Sequence, residues 1–230
     1  MSDLADAAQA ATQFRSLTPR QRERRARILD AAYALLARHG YDAMSTKMIA
    51  SHAGVAERTL FNIYKTKDAL IAAAARERSE GFIEEAWSKA SDQGIGFFLS
   101  LCETLSRRTL EAPEVARALA PVLVQQADLV ALHEVYRRYV GRALEDLVDQ
   151  DALNPAVIDV VNALVMMRMV SAVTLWAAQA ITDETLEVHM RLGVCEVLLP
   201  HVRGPLHDRS LEEARRCVDV LAQRPGRTAP

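Results

Sequence analysis

One stretch of the chain, residues 45–64, combines polar and charged side chains with a spacing that suits nucleic-acid contacts. Its small and branched residues predict two short helices packed around a tight glycine turn: Ile49, Ala50, Ala53, Val55 and Leu60. Four side chains then remain on the outer face of the second helix: Glu57, Arg58, Phe61 and Asn62. A helix of this size fits the major groove of DNA, where such side chains can read base edges. The stretch therefore predicts a helix-turn-helix.

The sequence offers no comparable pattern for catalysis or metal binding. It contains no P-loop, no G-x-S-x-G nucleophile turn and no dinucleotide-binding glycine fingerprint. His189 and Cys195 are six residues apart, which does not place two ligands on one helix face. We therefore predict a protein that is not an enzyme and that needs no metal and no cofactor.

Capping residues predict the helices that hold the reading segment in place. Thr18 with Pro19 starts a helix, and Gly40 ends it with a residue suited to the left-handed conformation. Ser45 caps the first short helix and Thr66 caps the helix that follows the second. Local chemistry thus predicts four helices in the first third of the chain.

The net charge of −2 hides an uneven distribution along the chain. Between Arg15 and Lys67 there are 11 Lys and Arg against 4 Asp and Glu, whereas the whole chain has 28 basic and 30 acidic residues. A basic head on an acidic body is typical of a protein with one DNA-facing end. A solvated, arginine-rich helix face is the alternative that charge alone leaves open.

At these residues the sequence resembles the tetracycline-repressor (TetR) family of bacterial regulators. The matching residues are RARILDAA at 25–32, Gly40, Ser45, IA at 49–50, AGV at 53–55, TLF at 59–61, Tyr64 and KDAL at 67–70. The resemblance covers about residues 20–74, and beyond them only chain length and the helical pattern agree. It implies a homodimer that binds a double-stranded DNA operator and a small-molecule effector.

The resemblance also implies roles at single positions. The residues expected to contact DNA are Ser45, Thr46 and Thr59 at phosphates, Lys47, Glu57, Arg58 and Phe61 at bases, and Asn62, Ile63 and Lys67 near the backbone, together with Arg25 and Lys65. Ser45 and Thr46 lie at a helix N-terminus, whose free N–H groups favour anions. Phe61 stands where the family usually has Tyr, so one hydroxyl contact to phosphate is lost.

The rest of the chain is predicted to form a larger helical domain, because no segment shows sustained period-two alternation. Helical patterns end near Leu119 and resume after Pro121, and Asn154-Pro155 opens a long helix. Ser210 with Glu213 reads as a capping box for the last helix. The predicted fold class is all-α, with a flexible tail at 1–17, a helix-turn-helix DNA-binding domain at 18–66, an effector-binding and dimerisation domain at 67–223, and a flexible tail at 224–230.

Two helices of this larger domain, from about Pro155 and from Asp183, are apolar over most of their circumference. We predict that they form a four-helix bundle with a second copy, although one side could instead face the chain's own core. The predicted interface residues are Val160, Val161, Leu164, Val165, Val173, Leu192 and Val197.

An effector pocket is expected among the remaining helices, where methionines and aromatics can line an adaptable cavity. The predicted lining residues are Phe97, Phe98, Cys102, His133, Tyr136, Met166, Met167, Arg168, Met169 and Trp176. A plain, methionine-rich core is the alternative, and the ligand is expected to be small and largely apolar.

The setting predicted from composition is the cytoplasm. Three widely spread cysteines do not make a disulfide framework, and the longest apolar stretch is interrupted by Asp159, Asn162 and Arg168. We predict no membrane partner. Two other function classes stay open: a helix-turn-helix architectural protein without an effector, and an enzyme or carrier built on a helical bundle, for which the sequence offers no convergent polar site.

Overall fold

The computed structural model describes residues 18–92 and 94–223, so the tails predicted at 1–17 and 224–230 lie outside the described residues. The described part is helical, and its one extended feature is an isolated bridge between Leu153 and Val202. The predicted all-α fold class is confirmed. The chain divides into two compact units, one ending at Ile71 and the other beginning at Ala72, whereas the sequence predicts the boundary after residue 66.

The smaller unit contains three helices and the start of a fourth: α1 (Pro19–Ala43), α2 (Thr46–His52), α3 (Glu57–Tyr64) and α4 (Lys67–Lys89). The larger unit continues with α5 (Ile95–Glu111), α6 (Pro113–Gln125), α7 (Ala127–Val130), α8 (Leu132–Tyr136), α9 (Arg142–Asp149), α10 (Ile158–Ala177), α11 (Leu186–Leu198) and α12 (Pro205–Ala222). A π-helical turn, Arg137–Gly141, joins α8 to α9, and 3-10 turns precede α10 (Pro155–Val157) and α11 (Asp183–Thr185).

The caps predicted from the sequence hold the ends of the first helices. The Thr18 hydroxyl accepts from the Gln21 N–H at 3.3 Å, and the Gln21 side chain accepts from the Thr18 N–H at 2.8 Å. Gly40 takes a positive φ of 72° and interrupts the regular helix three residues before α1 ends. The Thr66 hydroxyl accepts from the Ala69 N–H at 3.0 Å and so starts α4. Local chemistry therefore fixes where these helices begin and turn.

Helix α11 lies at the centre of the larger unit and packs against α5, α10 and α12. Its buried side chains include Leu186, Met190, Val194 and Leu198. The three cysteines come together around it, on α5, α11 and α12, and all are free and buried. Burial raises the pKa of the Cys195 thiol to about 12, so at neutral pH this side chain is a small hydrophobe rather than a nucleophile.

Two helix boundaries in the larger unit correct the sequence-based prediction. Pro121 does not separate two helices but lies inside α6, whose buried face includes Leu119 and Val122; burial of that face offsets the one backbone hydrogen bond that proline cannot make. Helix α12 begins at Pro205 rather than at Ser210, which is completely buried within the helix. Pro205 occupies the first helical position, where a missing N–H costs nothing.

An ion-pair cluster centred on Glu85 joins α4 to α5. The Glu85 carboxylate accepts from Lys89 at 2.6 Å on its own helix, and from Arg107 at 2.5 Å and Arg108 at 2.7 Å on α5. The hydrogen bonds from Lys89 and Arg108 lower the pKa of Glu85 to about 2. The cluster therefore favours the folded state most when Glu85 is ionised.

Candidate nucleic-acid interface

The turn between α2 and α3 is closed by backbone hydrogen bonds that only a residue with positive φ allows. Gly54 has a φ of 64°, which places it in the left-handed region. The Gly54 N–H donates to the Ser51 carbonyl at 3.3 Å, and the Val55 N–H donates to the Ala50 carbonyl at 3.0 Å. This pair of bonds is a Schellman motif, and it ends α2 abruptly enough for α3 to turn back against it.

Helix α3 buries one side and presents the other. Leu60 and Tyr64 are buried against the rest of the smaller unit. The side chains exposed on the opposite side of α3 and just beyond it are Glu57, Arg58, Phe61, Asn62 and Lys65, while Thr59 and Ile63 are half-buried at its edges. Phe61 is 58% exposed, which is unusual for a phenylalanine in a packed domain. The α3 outer face therefore carries a cation, an amide and an exposed aromatic ring, the chemistry of a surface that contacts another molecule.

A side-chain hydrogen bond joins the starts of α2 and α3. The Thr46 hydroxyl donates to the Glu57 carboxylate at 3.1 Å, while Ser45 accepts from the Met48 N–H at 3.2 Å and caps α2. Lys47, the next residue, is exposed. Two helix N-termini thus lie side by side, and the Glu57 carboxylate lies between them, where helix dipoles favour negative charge. The partner of Glu57 is therefore a hydroxyl on the neighbouring helix.

Lys67 has a structural role within the smaller unit that its position in the sequence does not reveal. Its ammonium donates to the carbonyls of Tyr41 at 3.1 Å and Met44 at 3.2 Å, and it lies 4.2 Å from the centre of the Tyr41 ring. The Tyr41 hydroxyl donates to the Asp68 carboxylate, and burial with this contact raises the pKa of Tyr41 to about 12. These contacts, the α1–α4 clasp, were missed by sequence reasoning, because Tyr41 and Lys67 are 26 residues apart in the chain.

Two further residues predicted to contact DNA occupy special positions. The guanidinium of Arg25 on α1 lies over the Tyr64 ring at 5.3 Å, which holds it beside the end of α3. Lys65 follows the last residue of α3 and has a backbone φ of 61°, a conformation that residues other than glycine rarely adopt. The structure brings the predicted DNA-contact residues together on α2, α3 and the ends of α1 and α4; their contacts with DNA stay a prediction.

The residues predicted for a dimer interface divide between the outside and the inside of the larger unit. Val160 is 55% exposed, and Leu164 and Leu192 are half-buried. The other four are buried in the subunit's own core, and this corrects their predicted role: Val161, Val165, Val173 and Val197. A helix that is apolar all round gives no sequence signal for which face looks inward, and the packing of α10 against α6 and α11 decides it.

Helix α10 nevertheless leaves apolar surface uncovered. The segment Pro155–Ala177 is the one described helix that is long and apolar enough to cross a membrane, with a mean hydropathy of 1.8, and 28% of that apolar window is buried within the subunit. Arg168 on this helix pairs with Glu196 of α11 at 3.2 Å. Apolar surface of this kind is typical of a helix that contacts a partner molecule.

The predicted effector-lining residues do not form one site. Tyr136 and Met169 line a cavity of about 60 Å³, the inner cavity, whose other lining residues come from α4, α5, α6, α8 and α10. His133, Met166 and Met167 line an open groove of about 490 Å³, the outer groove, between α6–α8 and α10. The remaining predicted residues line neither: Phe97, Phe98, Cys102 and Trp176 are buried in the core, and Arg168 is exposed. Among the described residues, no cluster of three or more His, Cys, Asp and Glu side chains fits a metal ion.

Residues 28–74, which include all of α2 and α3, match the model of the bacterial regulatory proteins of the tetR family. An uncharacterised HTH-type transcriptional regulator, YvkB of Bacillus subtilis, is 47% identical over 53 residues, which cover 23% of this chain and 28% of the relative. The HTH-type transcriptional repressor KstR of Rhodococcus jostii is 45% identical over 58 residues, 25% of this chain and 27% of the relative. The chain therefore matches only about a quarter of the length of these curated relatives.

Solved structures extend the likeness to the larger unit at the level of the fold. A TetR transcriptional regulator from Rhodococcus sp. RHA1 has a TM-score of 0.64 at 17% identity, covering 78% of this chain and 97% of that one. RolR in complex with resorcinol has a TM-score of 0.61 at 20% identity over 85% and 94% of the two chains. FadR of Bacillus subtilis in complex with stearoyl-CoA has a TM-score of 0.59 at 16% identity over 75% and 96%. Residues 28–74 therefore match the tetR family model, and the described residues share the all-helical fold of the solved TetR-family regulators.

Proposed function

We propose that this protein is a cytoplasmic, sequence-specific DNA-binding repressor that acts as a homodimer on a palindromic operator. The observation that carries the proposal is the α3 outer face, where Arg58, Phe61 and Asn62 are exposed together on a helix held by a tight glycine turn. A helix so presented can enter the major groove, and two copies related by a two-fold axis would read two inverted half-sites.

The contacts on DNA are proposed to divide by residue. Arg58 is the main base-reading residue, because a guanidinium can donate two hydrogen bonds to a guanine edge. Lys47, Lys65 and Arg25 supply charge for phosphates. Lys67 contributes in two ways, since two of its protons already hold the α1–α4 clasp and the third remains for a phosphate.

A selection experiment with matched variants tests this proposal. Genomic fragments retained by the purified protein should share a palindrome. Arg58→Ala should lower affinity for that palindrome by about 1–3 kcal/mol and relax the preference at one position in each half-site. Arg215→Ala on α12, another exposed arginine, is the matched control and should bind like the wild type. Retention of unrelated fragments without a common sequence would contradict the proposal.

Dimerisation is proposed to use the outward side of α10 and α11, with Val160, Leu164 and Leu192 at the contact. The support is the exposed apolar surface of α10 around Val160 and Leu164, which lies outside the outer groove and which a second copy could cover. Helix α10 also packs along one side on α6 and α11, which favours an interface helix over a membrane span.

Control by a small, largely apolar effector is the finer part of the proposal. The neighbours of similar fold were solved with resorcinol and with stearoyl-CoA, and the inner cavity of this chain lies within the larger unit and is lined mostly by apolar side chains. A ligand can release DNA only if it binds the DNA-free conformation more tightly. The second candidate, an effector-free DNA-binding protein, is favoured by the small volume of that cavity, and it predicts that no apolar compound alters operator binding. Neither candidate is an enzyme.

A further inference from the structure

The inner cavity is too small to be a complete ligand site. Its volume is about 60 Å³, whereas pockets for small molecules usually measure about 300–1,000 Å³. The residues that line it include Ala75 on α4 and Val173 on α10. A ligand that used this cavity would have to extend beyond it.

The outer groove lies directly against the inner cavity. Three side chains line both spaces: Leu123 on α6, Leu132 on α8 and Val170 on α10. Rotation of these shared side chains is the simplest movement that would join the two spaces, because side-chain rotation is fast compared with helix movement. The groove adds about 490 Å³ and is walled by apolar residues, with Asp128 and His133 among its few polar side chains.

The inner cavity holds a polar group suited to a ligand. Tyr136 is 2% exposed and lines the cavity. Burial raises the pKa of this phenol, so the hydroxyl stays neutral and can donate a proton. A ligand oxygen placed in the cavity could accept a hydrogen bond from this hydroxyl in apolar surroundings.

We propose that the inner cavity and the outer groove are two parts of one elongated ligand site. The chemical class that fits it is a slender, mostly apolar molecule with a hydrogen-bond acceptor at its inner end, received by Tyr136. Leu123, Leu132 and Val170 form the passage through which the molecule runs, and its apolar body lies in the groove against Met166. This inference rests on the proposed effector control and names the ligand class for it.

Chain-length dependence tests whether the site is elongated. Linear methyl ketones from hexan-2-one to tetradecan-2-one are titrated into the full-length dimer by calorimetry, with n-alkanes as probes that lack the acceptor. Affinity for the ketones should rise about fourfold for each added methylene, the free energy of burying one CH₂ group. Affinity that stops rising at the shortest ketones would confine the ligand to the inner cavity and overturn the inference.

Three variants test the passage and the polar end. Val170→Trp should fill the passage and abolish the gain with chain length, whereas Val218→Trp, a valine on α12 that is 50% exposed and lines neither space, should bind like the wild type. If Val170→Trp does not fold by circular dichroism, Leu132→Ala gives the opposite test, since a wider passage should tighten binding of the long ketones. Tyr136→Phe should weaken ketones by about threefold to tenfold and leave the alkanes unchanged; equal effects on both would overturn the role of the hydroxyl.

Operator release measured in parallel separates this inference from the proposed function. Ketones that bind with the expected chain-length dependence but leave the operator bound would support the elongated site and refute effector control. Release of the operator by a compact ligand, with no ketone binding, would overturn the elongated site and leave effector control standing. Ketone affinity that falls as the protein concentration rises would mean that a second copy fills the groove, and this too would overturn the inference.

Discussion

Replacing Val160 with aspartate should break the proposed dimer. Val160 is 55% exposed on α10 and lines neither the inner cavity nor the outer groove, so the substitution leaves the subunit's core and the proposed ligand site intact. In a two-fold dimer the same residue occurs on both sides of the interface, and each substitution therefore acts twice.

The magnitude follows from the surface that the dimer would bury. Full burial of a valine side chain is worth about 1.5 kcal/mol, and about half of this side chain is still exposed in the subunit, which leaves about 0.8 kcal/mol for each copy. Two copies give about 1.6 kcal/mol, or about a 15-fold rise in the dimer dissociation constant. Two carboxylates brought out of water add to this cost, so 15-fold is a lower bound.

Sedimentation velocity over a concentration series measures the change. Val218→Asp is the matched control, because Val218 is 50% exposed on α12, outside the proposed interface. We expect the Val160→Asp protein to dissociate at concentrations where the wild type and the control remain dimeric. A Val160→Asp protein that keeps the wild-type dissociation constant, with Val218→Asp dissociated, would place the interface on α12 and refute the reasoning.

Three further predictions concern stability and the DNA-binding unit. Gly54→Ala should destabilise the protein by about 1–2 kcal/mol in urea unfolding, because alanine is strained at a φ of 64°; an unchanged midpoint would mean that the turn relaxes. Glu85→Gln should lower the free energy of unfolding by about 1 kcal/mol at pH 7. Because the folded-state pKa of Glu85 is lowered from 4.5 to about 2, this difference from the wild type should persist above about pH 5 and disappear as the pH falls towards 2. A stability difference that grows as the pH falls would contradict this prediction. Lys67→Met should lower both thermal stability and DNA affinity, because the Lys67 ammonium donates to two backbone carbonyls. If DNA affinity falls while thermal stability is unchanged, Lys67 acts only as a phosphate contact.

The helix-turn-helix could be predicted from the sequence because its boundaries are set by local chemistry. A hydroxyl at a helix start, such as Ser45, and a glycine at a helix end, such as Gly54, act on the three or four neighbouring residues whatever the rest of the chain does. The exposed side of α3 followed from helical periodicity in the same way. The α1–α4 clasp of Lys67 with Tyr41 could not be predicted, since it joins residues that are distant in the sequence.

The larger unit was harder to predict because tertiary packing decides its details. Pro121 reads as a helix breaker, yet the packing of α6 outweighs its local preference. Helix α10 is apolar on all sides, so the sequence did not show that Val161 faces the core while Val160 faces outward. The two proposed ligand spaces depend on the positions of six helices at once, and no single segment carries that information.

A crystal structure of the dimer with its selected operator would show whether α3 reads DNA bases in the major groove. We expect α3 of each subunit in successive major grooves, with Arg58 hydrogen-bonded to a base edge and Phe61 against a base or sugar. A complex in which α3 faces solvent, or in which Arg58 contacts only phosphates, would contradict it.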